Sequence, residues 1–329
     1  MRLPRLVEWW DRRQVPLFVT AIGVGAAAGL ILPQTAPALE HSIEPVLVLL
    51  LFATFLGVPL IEVGRAVSDI RFLSTVLLAN FVVVPAVAWG LSRFVADDRG
   101  LLLGVLLVLL TPCIDYVIVF TGLAGGARAR LLAAAPLLML GQILLLPLFL
   151  TLFAGGDVLS VIDVGPFVEA FLLLIVLPLA AAAAVQALAR HHQSGRLVEG
   201  VMAGAMVPLM MATLAVVVGS QIAGVGSEAA MLVRVVPIYA AFVVVAASVG
   251  LAVGRLARLD APATRAVVFS ATTRNSLVVL PLALALPDPL GIAPLAVVTQ
   301  TLVELVAMVV LVRVVPRIVR AREPAGGKS

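Results

Sequence analysis

Two short segments carry most of the chemistry that this chain places inside its apolar runs. They are Thr111-Pro112-Cys113-Ile114-Asp115 and Thr272-Thr273-Arg274-Asn275-Ser276. Pro112 supplies no N–H and clashes with the carbonyl four residues back, so a helix opens there. The first segment adds a thiol, which is a soft ligand, and a carboxylate that could carry a proton. The second adds a guanidinium, an amide and hydroxyls, groups that hold an anion or a polar oxygen. Asp115 and Arg274 would each cost about 2.5–3.5 kcal/mol at a membrane helix centre, so such residues face the protein interior and are functional candidates by default. Two plainer roles stay open. The charges also suit one structural ion pair between helices, in which case Asp115 carries a proton only once Arg274 moves away. Cys113 also suits packing, because a free cysteine behaves as a small hydrophobe.

Further polar residues lie in the same apolar surroundings. Gln300 and Glu304 stand four apart, on one helical face. Asn80 and Gln142 suit hydrogen bonds between membrane helices. Asp115, Glu304, Asn80 and Gln142 are the candidates for a coupling-ion site. His41, His191 and His192 fall in loops, and the sequence has no HExxH, CxxC, GxSxG or P-loop lysine motif. The expectation is therefore no cofactor, no metal site and no enzyme.

The elements that position these residues follow from composition. Of 329 residues, 62% are hydrophobic and 12% charged, against about 45–50% and 25% in a soluble domain. Mean hydropathy is +1.18. The excess must face lipid, which excludes a soluble enzyme and a disordered chain. Long apolar blocks also exclude a membrane β-barrel. A crossing helix needs about 20 apolar residues, and ten candidates fit: 16–32, 44–61, 72–94, 101–123, 131–153, 165–188, 199–220, 231–254, 263–287 and 290–313. Short loops leave no room for a soluble domain, and the tail 320–329 reads as a disordered end. Loops on one side hold 18 of the 22 basic residues. Arg93, Arg99 and Arg234 fall on the other side, among Glu40, Asp97, Asp98, Asp157, Asp163, Glu228 and Asp288. The positive-inside rule places both termini in the cytoplasm and makes the net charge of +4 a topology signal, with no nucleic acid implied. The N-terminal arginines, the first apolar run and Ala36-Pro37-Ala38 can also be read as a cleavable leader, although the run is long for one.

Ten spans divide at 154–164 into two sets of five, 1–153 and 165–315. An odd number per half gives the halves opposite orientation, as in transporters built from inverted repeats. Pro16 and Pro166 each open the first span of a half. The fourth span of one half and the ninth of the chain are interrupted at corresponding places, the sequence pointer to a midplane binding site. The candidate substrate-binding residues are Thr111, Pro112, Cys113, Asp115, Thr273, Arg274, Asn275 and Ser276.

This pattern resembles the bile acid:sodium symporter superfamily, and within it the arsenic resistance proteins of the arsenite permease kind. Leu110-Thr-Pro-Cys-Ile-Asp-Tyr-Val-Ile-Val-Phe120 is similar to the permease motif of the fourth helix. Phe269-Ser-Ala-Thr-Thr-Arg-Asn-Ser-Leu277 is similar to that of the ninth. The resemblance implies ten helices, crossing breaks in helices 4 and 9, and a role in transport for Cys113. The permeases' glutamate after the asparagine is Leu277 here. The acidic cation ligand of the sodium symporters aligns near Ser270, and Arg274 stands where those symporters carry glutamine. These departures argue against sodium coupling. A fixed arginine could replace a bound cation, and Asp115 could couple protons.

The expectation is a multi-pass secondary transporter of the inner membrane that exports arsenite or a related oxyanion by alternating access, coupled to protons. The alternative is uptake of an organic anion, with Arg274 holding its carboxylate. Cys113 separates the two, because soft-ligand chemistry needs it and carboxylate binding does not.

Overall fold

A computed structural model describes residues 10, 13–58, 69–114, 116–155, 169, 171–287 and 290–320. The described residues are helical, with no β-strand longer than a single bridge pair. The helices are α1 (Gln14–Ile31), α2 (Ala36–Gly57), α3 (Ile70–Leu78), α4 (Val84–Ser92), α5 (Arg99–Leu109) and α6 (Tyr116–Leu123). They continue with α7 (Arg128–Phe153), α8 (Leu177–Ala189), α9 (Gln193–Leu256), α10 (Ala261–Thr272), α11 (Ser276–Leu284) and α12 (Ala293–Ile318). Among the described residues, seven stretches are long and apolar enough to cross a membrane, two of them within α9. The chain is a multi-pass membrane protein.

The stretches expected as fourth and ninth spans are each broken, into α5 with α6 and α10 with α11. The second span differs from expectation, because its helix starts at Ala36 and carries Pro45 inside it. The loop expected between the seventh and eighth spans is helical, so α9 runs unbroken over 64 residues. Thr213 lines one cavity with Ser276, and Phe242 lies under the Arg274 guanidinium. A straight helix would hold Thr213 and Phe242 about 43 Å apart, too far for both contacts. α9 therefore bends between them, in a stretch that holds the Gly219-Ser220 pair and Pro237. Residues 156–168 and 321–329, with the expected break between halves and the tail, lie outside the described residues.

Most prolines of the apolar runs sit inside helices without ending them: Pro136, Pro147, Pro208, Pro237, Pro281 and Pro316. Pro85 does more. It lacks the N–H that the Phe81 carbonyl would accept, and the helix accommodates this with one π-turn, Ala79–Val83, closed by Val84 N–H donating to Ala79 O. Leu172–Val176, ahead of Pro178, repeats the device.

Helices meet through small residues, as membrane helices do. Gly25 and Gly29 of α1 lie against the backbone of Ala215 and Gly219 in α9. Gly100 and Gly104 of α5 lie against Leu290, Ile292, Ala293 and Ala296. Gly250 and Gly254 of α9 lie against Thr264, Val267 and Val268 of α10. Gln186 of α8 donates from Nε2 to the carbonyls of Phe55, Leu56 and Val58, at 3.3, 3.1 and 2.6 Å, satisfying the C-terminal end of α2.

Charged residues brace the helix starts. Asp69 and Asp260 cap α3 and α10 through Phe72 N–H (3.1 Å) and Ala263 N–H (2.8 Å). One guanidinium, that of Arg130 on α7, pairs with both aspartates at 3.4 and 3.1 Å. Arg234 donates to both carboxylate oxygens of Asp97 at 2.7 and 2.9 Å, which holds the Asp97 carboxyl below its usual range.

Candidate functional site

The two broken spans cross backbone to backbone. Pro112 and Arg274 pair as an isolated antiparallel bridge. On either side, Cys113 N–H donates to Thr273 O at 3.1 Å and Asn275 N–H donates to Thr111 O at 2.8 Å. The peptide groups freed by each break are therefore satisfied by the other break, which is how irregular backbone is tolerated at membrane depth.

The two sides of the crossing share a spacing. Asp98 caps α5 through Leu101 N–H at 2.9 Å, and Asp260 caps α10 through Ala263 N–H at 2.8 Å. Pro112 follows Asp98 by the same interval as Arg274 follows Asp260. The bridge thus relates Thr111 to Thr273 and Cys113 to Asn275. The threonines behave alike: Thr111 Oγ1 donates to Leu107 O at 3.1 Å and Thr273 Oγ1 to Phe269 O at 2.7 Å, each four residues back. Both hydroxyls satisfy the ends of their own half-helices, which argues against their use as ligands for a substrate.

Arg274 is completely buried. Its guanidinium sits at the C-terminal ends of α10 and α5. Nη2 donates to Ser270 O (2.7 Å), Ala271 O (2.8 Å) and Asn80 Oδ1 (2.9 Å), and Nη1 donates more loosely to Leu109 O (3.4 Å). The Ser270 and Ala271 carbonyls are open for a simple reason. Their intrahelical donors would be the N–H groups of residues 274 and 275, and those bond to Glu304 and Thr111 instead. The negative ends of two half-helix dipoles thus meet on one positive charge. The Phe242 ring covers it, with its centroid 5.5 Å from Cζ. The π-turn aims Asn80, which also donates to Ser270 Oγ at 2.9 Å and Val76 O at 3.0 Å.

Glu304, 1% exposed, anchors the same junction. Its Oε2 accepts the Arg274 N–H at 2.8 Å and a short bond from Gln300 Nε2. On the far side of the bridge, Asn275 caps α11 with Oδ1 toward Val278 N–H at 3.4 Å. Its Nδ2, a donor in a residue 2% exposed, has no partner. Thr301 Oγ1 donates to Ser276 Oγ at 2.7 Å. Beside them opens a cavity of about 10 Å³, room for about one water, walled by Thr213, Leu214, Val217 and Val218 of α9 and by Leu280, Val297 and Val298.

The structure therefore brings Thr111, Pro112, Cys113, Thr273, Arg274, Asn275, Ser276, Asn80 and Glu304 to one crossing. Asp115 lies outside the described residues. Gln142 departs from expectation: it is buried, but neither of its amide atoms has a partner, so it bonds no neighbouring helix. Sequence reasoning named Ser270 only as the place of a missing acid, and missed Thr301 and Phe242. Ser270 stands one helical turn before Arg274, and Thr301 adjoins Gln300; both signals were present. Nothing in the sequence marks Phe242. Among the described residues, no group of three or more His, Cys, Asp and Glu side chains is placed to hold a metal.

Helices crossing at paired breaks, fed by inverted half-helices, are the frame of a transporter site. The chain matches the Sodium Bile acid symporter family over residues 44–227, more than half its length. It belongs to that family. No curated protein matches it. As a sodium bile acid symporter family protein it is a membrane solute transporter, and the match covers the first break, whereas Arg274 and Glu304 lie beyond it.

Proposed function

We propose that this family member is a secondary transporter of the cytoplasmic membrane, with both termini inside. In this reading it exports arsenite or a related oxyanion by alternating access, driven by protons and independent of sodium. One observation carries the coupling. The place where two C-terminal half-helix ends would hold a coupling cation is taken by the Arg274 guanidinium, which is bonded to Ser270 O, Ala271 O and Asn80 Oδ1. A covalently tethered cation cannot be carried across, so a sodium gradient has nothing to drive there.

The solute reading rests on the opposite face of the crossing. There the N-terminus of α11 supplies a positive dipole end, Asn275 Nδ2 a spare donor, and Cys113 the soft ligand. Arsenous acid is largely neutral, so concentrating it outward needs a second driving ion. The apolar walls of the cavity favour the second reading, uptake of an organic anion. In that case the carboxylate meets α11 rather than Arg274, whose Nη2 already serves three acceptors.

The test is arsenite uptake into everted vesicles under an imposed proton gradient, with and without sodium. Uptake that is indifferent to sodium and lost in Cys113→Ser supports the proposal. Folded protein that moves organic anions and leaves arsenite behind selects the second reading. A requirement for sodium overturns the coupling.

A further inference from the structure

Gln300 and Glu304 form a pair whose wiring is complete on one side and open on the other. The Gln300 amide donates from Nε2 to Glu304 Oε2, which also accepts the Arg274 N–H. Gln300 Oε1, in a side chain 2% exposed, accepts from nothing. A buried acceptor left without a donor is destabilising, and here that acceptor sits one rotation away from a carboxylate. A half-turn of the amide exchanges Oε1 and Nε2. Oε1 then faces Glu304 Oε2, and the contact is favourable only if that oxygen carries a proton.

We propose that Gln300 and Glu304 are a built-in proton site that couples protonation to the backbone crossing; the proposal rests on the proton-driven reading above. A proton from an aqueous face bonds to Glu304 Oε2, the charge is lost, and the new O–H donates to the turned Gln300 Oε1. In the charged form Gln300 Oε1 stands open, and in the neutral form the turned Oε1 gains the acid's O–H as its donor. The change reaches the site through Arg274 N–H, whose acceptor goes from a carboxylate to a neutral oxygen. Charge-assisted hydrogen bonds are roughly twice as strong as neutral ones, so protonation loosens the residue that pairs with Pro112.

The groups around the pair are few. Arg274 faces it from the α10–α11 break, and Cys113 stands in the other break. Tyr239 of α9 donates to Ala296 O, about one turn before Gln300 and two before Glu304 on α12. Arg265 of α10 reaches only the far end of α12, at Val319 O. On α12 itself the next charges are Arg313 and Arg317. The described side chains of α6 and α11 bring no ionisable group, and α5 only Arg99 at its outer end.

The test is infrared difference spectroscopy of the reconstituted protein on acidification, with protons as the only ligand. Wild type is expected to gain a carboxylic-acid C=O band that Glu304→Gln loses and Glu304→Asp restores at a shifted position. Gln300→Leu should move the band to higher wavenumber, because the acid's acceptor is gone. Folded Glu304→Gln should lose proton-driven accumulation. A band unchanged in Glu304→Gln, or unmoved by Gln300→Leu, overturns the proton site. If the band behaves as expected while wild type moves neither arsenite nor organic anions, the solute reading fails and the proton site stands.

Discussion

Asn275 N–H reaches Thr111 O at 2.8 Å, one strand of the bridge that joins the two broken spans. Between these strands the helix ends are sorted by sign. The C-terminal ends of α5 and α10 point at a guanidinium, and the N-terminal end of α11 points at an unfilled amide donor. The two faces of one crossing thus offer different chemistry to a cation and to an anion.

Arg274→Gln tests this sorting. The variant leaves the Ser270, Ala271 and Leu109 carbonyls without their cation. With charge-assisted bonds worth about 1.5–3 kcal/mol each, the loss of two costs about 3 kcal/mol or more. The thermal midpoint in detergent should fall by several degrees. Carbonyl ends of half-helices hold sodium well, so added sodium should recover part of the loss in the variant and do nothing for wild type. A variant as stable as wild type, or one indifferent to sodium, would show that the guanidinium is not the charge these ends require.

The place of the crossing could be read from residues, and its wiring could not. Pro112 in one apolar run and Arg274 in another, at corresponding positions of two halves, identified the breaks. The partner of Arg274 was not legible. An ion pair with Asp115, the carboxylate of the opposing segment, was one expectation, and Asp115 lies outside the described residues. Most of the acceptors found among the described residues are main-chain carbonyls, with Asn80 Oδ1 beside them, and every sequence carries carbonyls everywhere. Asn80 was a candidate, but its bond to Arg274 was not legible: its orientation comes from the π-turn that Pro85 imposes five residues on. The length of α9 was misread because hydropathy falls at 221–230 whether the chain loops or stays helical through a bend.

Gly25 and Gly29 make a second test with an internal control. A Cβ at either position would overlap the backbone of Ala215 or Gly219, whereas a Cβ at Gly23 meets nothing within 4 Å. Gly29→Leu should separate α1 from α9 and lower the thermal midpoint sharply. Gly23→Ala should hold or gain, since alanine is about 1 kcal/mol better than glycine in a helix. Equal effects at the two positions would mean that helix propensity, not close packing, sets their cost.

Gln186 is a smaller clasp with a clear reading. Gln186→Leu keeps the volume and removes the donor shared by the Phe55, Leu56 and Val58 carbonyls. The expected loss is about 1–3 kcal/mol, read as a fall in the thermal midpoint, with the substrate affinity unmoved because the clasp joins α8 to α2 away from the crossing. A change in affinity with no change in stability would place Gln186 in the transport path instead.

Lys328 is the single lysine of the sequence, which makes the orientation of the C-terminus directly testable. The positive-inside rule places 18 of 22 basic residues, Lys328 included, on the cytoplasmic side. A membrane-impermeant amine reagent should therefore label Lys328 in everted vesicles and fail to label it in right-side-out ones. The chain's own N-terminal amine shares that side in an even-span topology, so the peptide carrying Lys328 must be resolved by mass spectrometry. Labelling from the outside would leave an odd number of crossings if the N-terminus remains inside. The unbroken α9 would then be the first place to look, because two of the stretches long and apolar enough to cross lie within it.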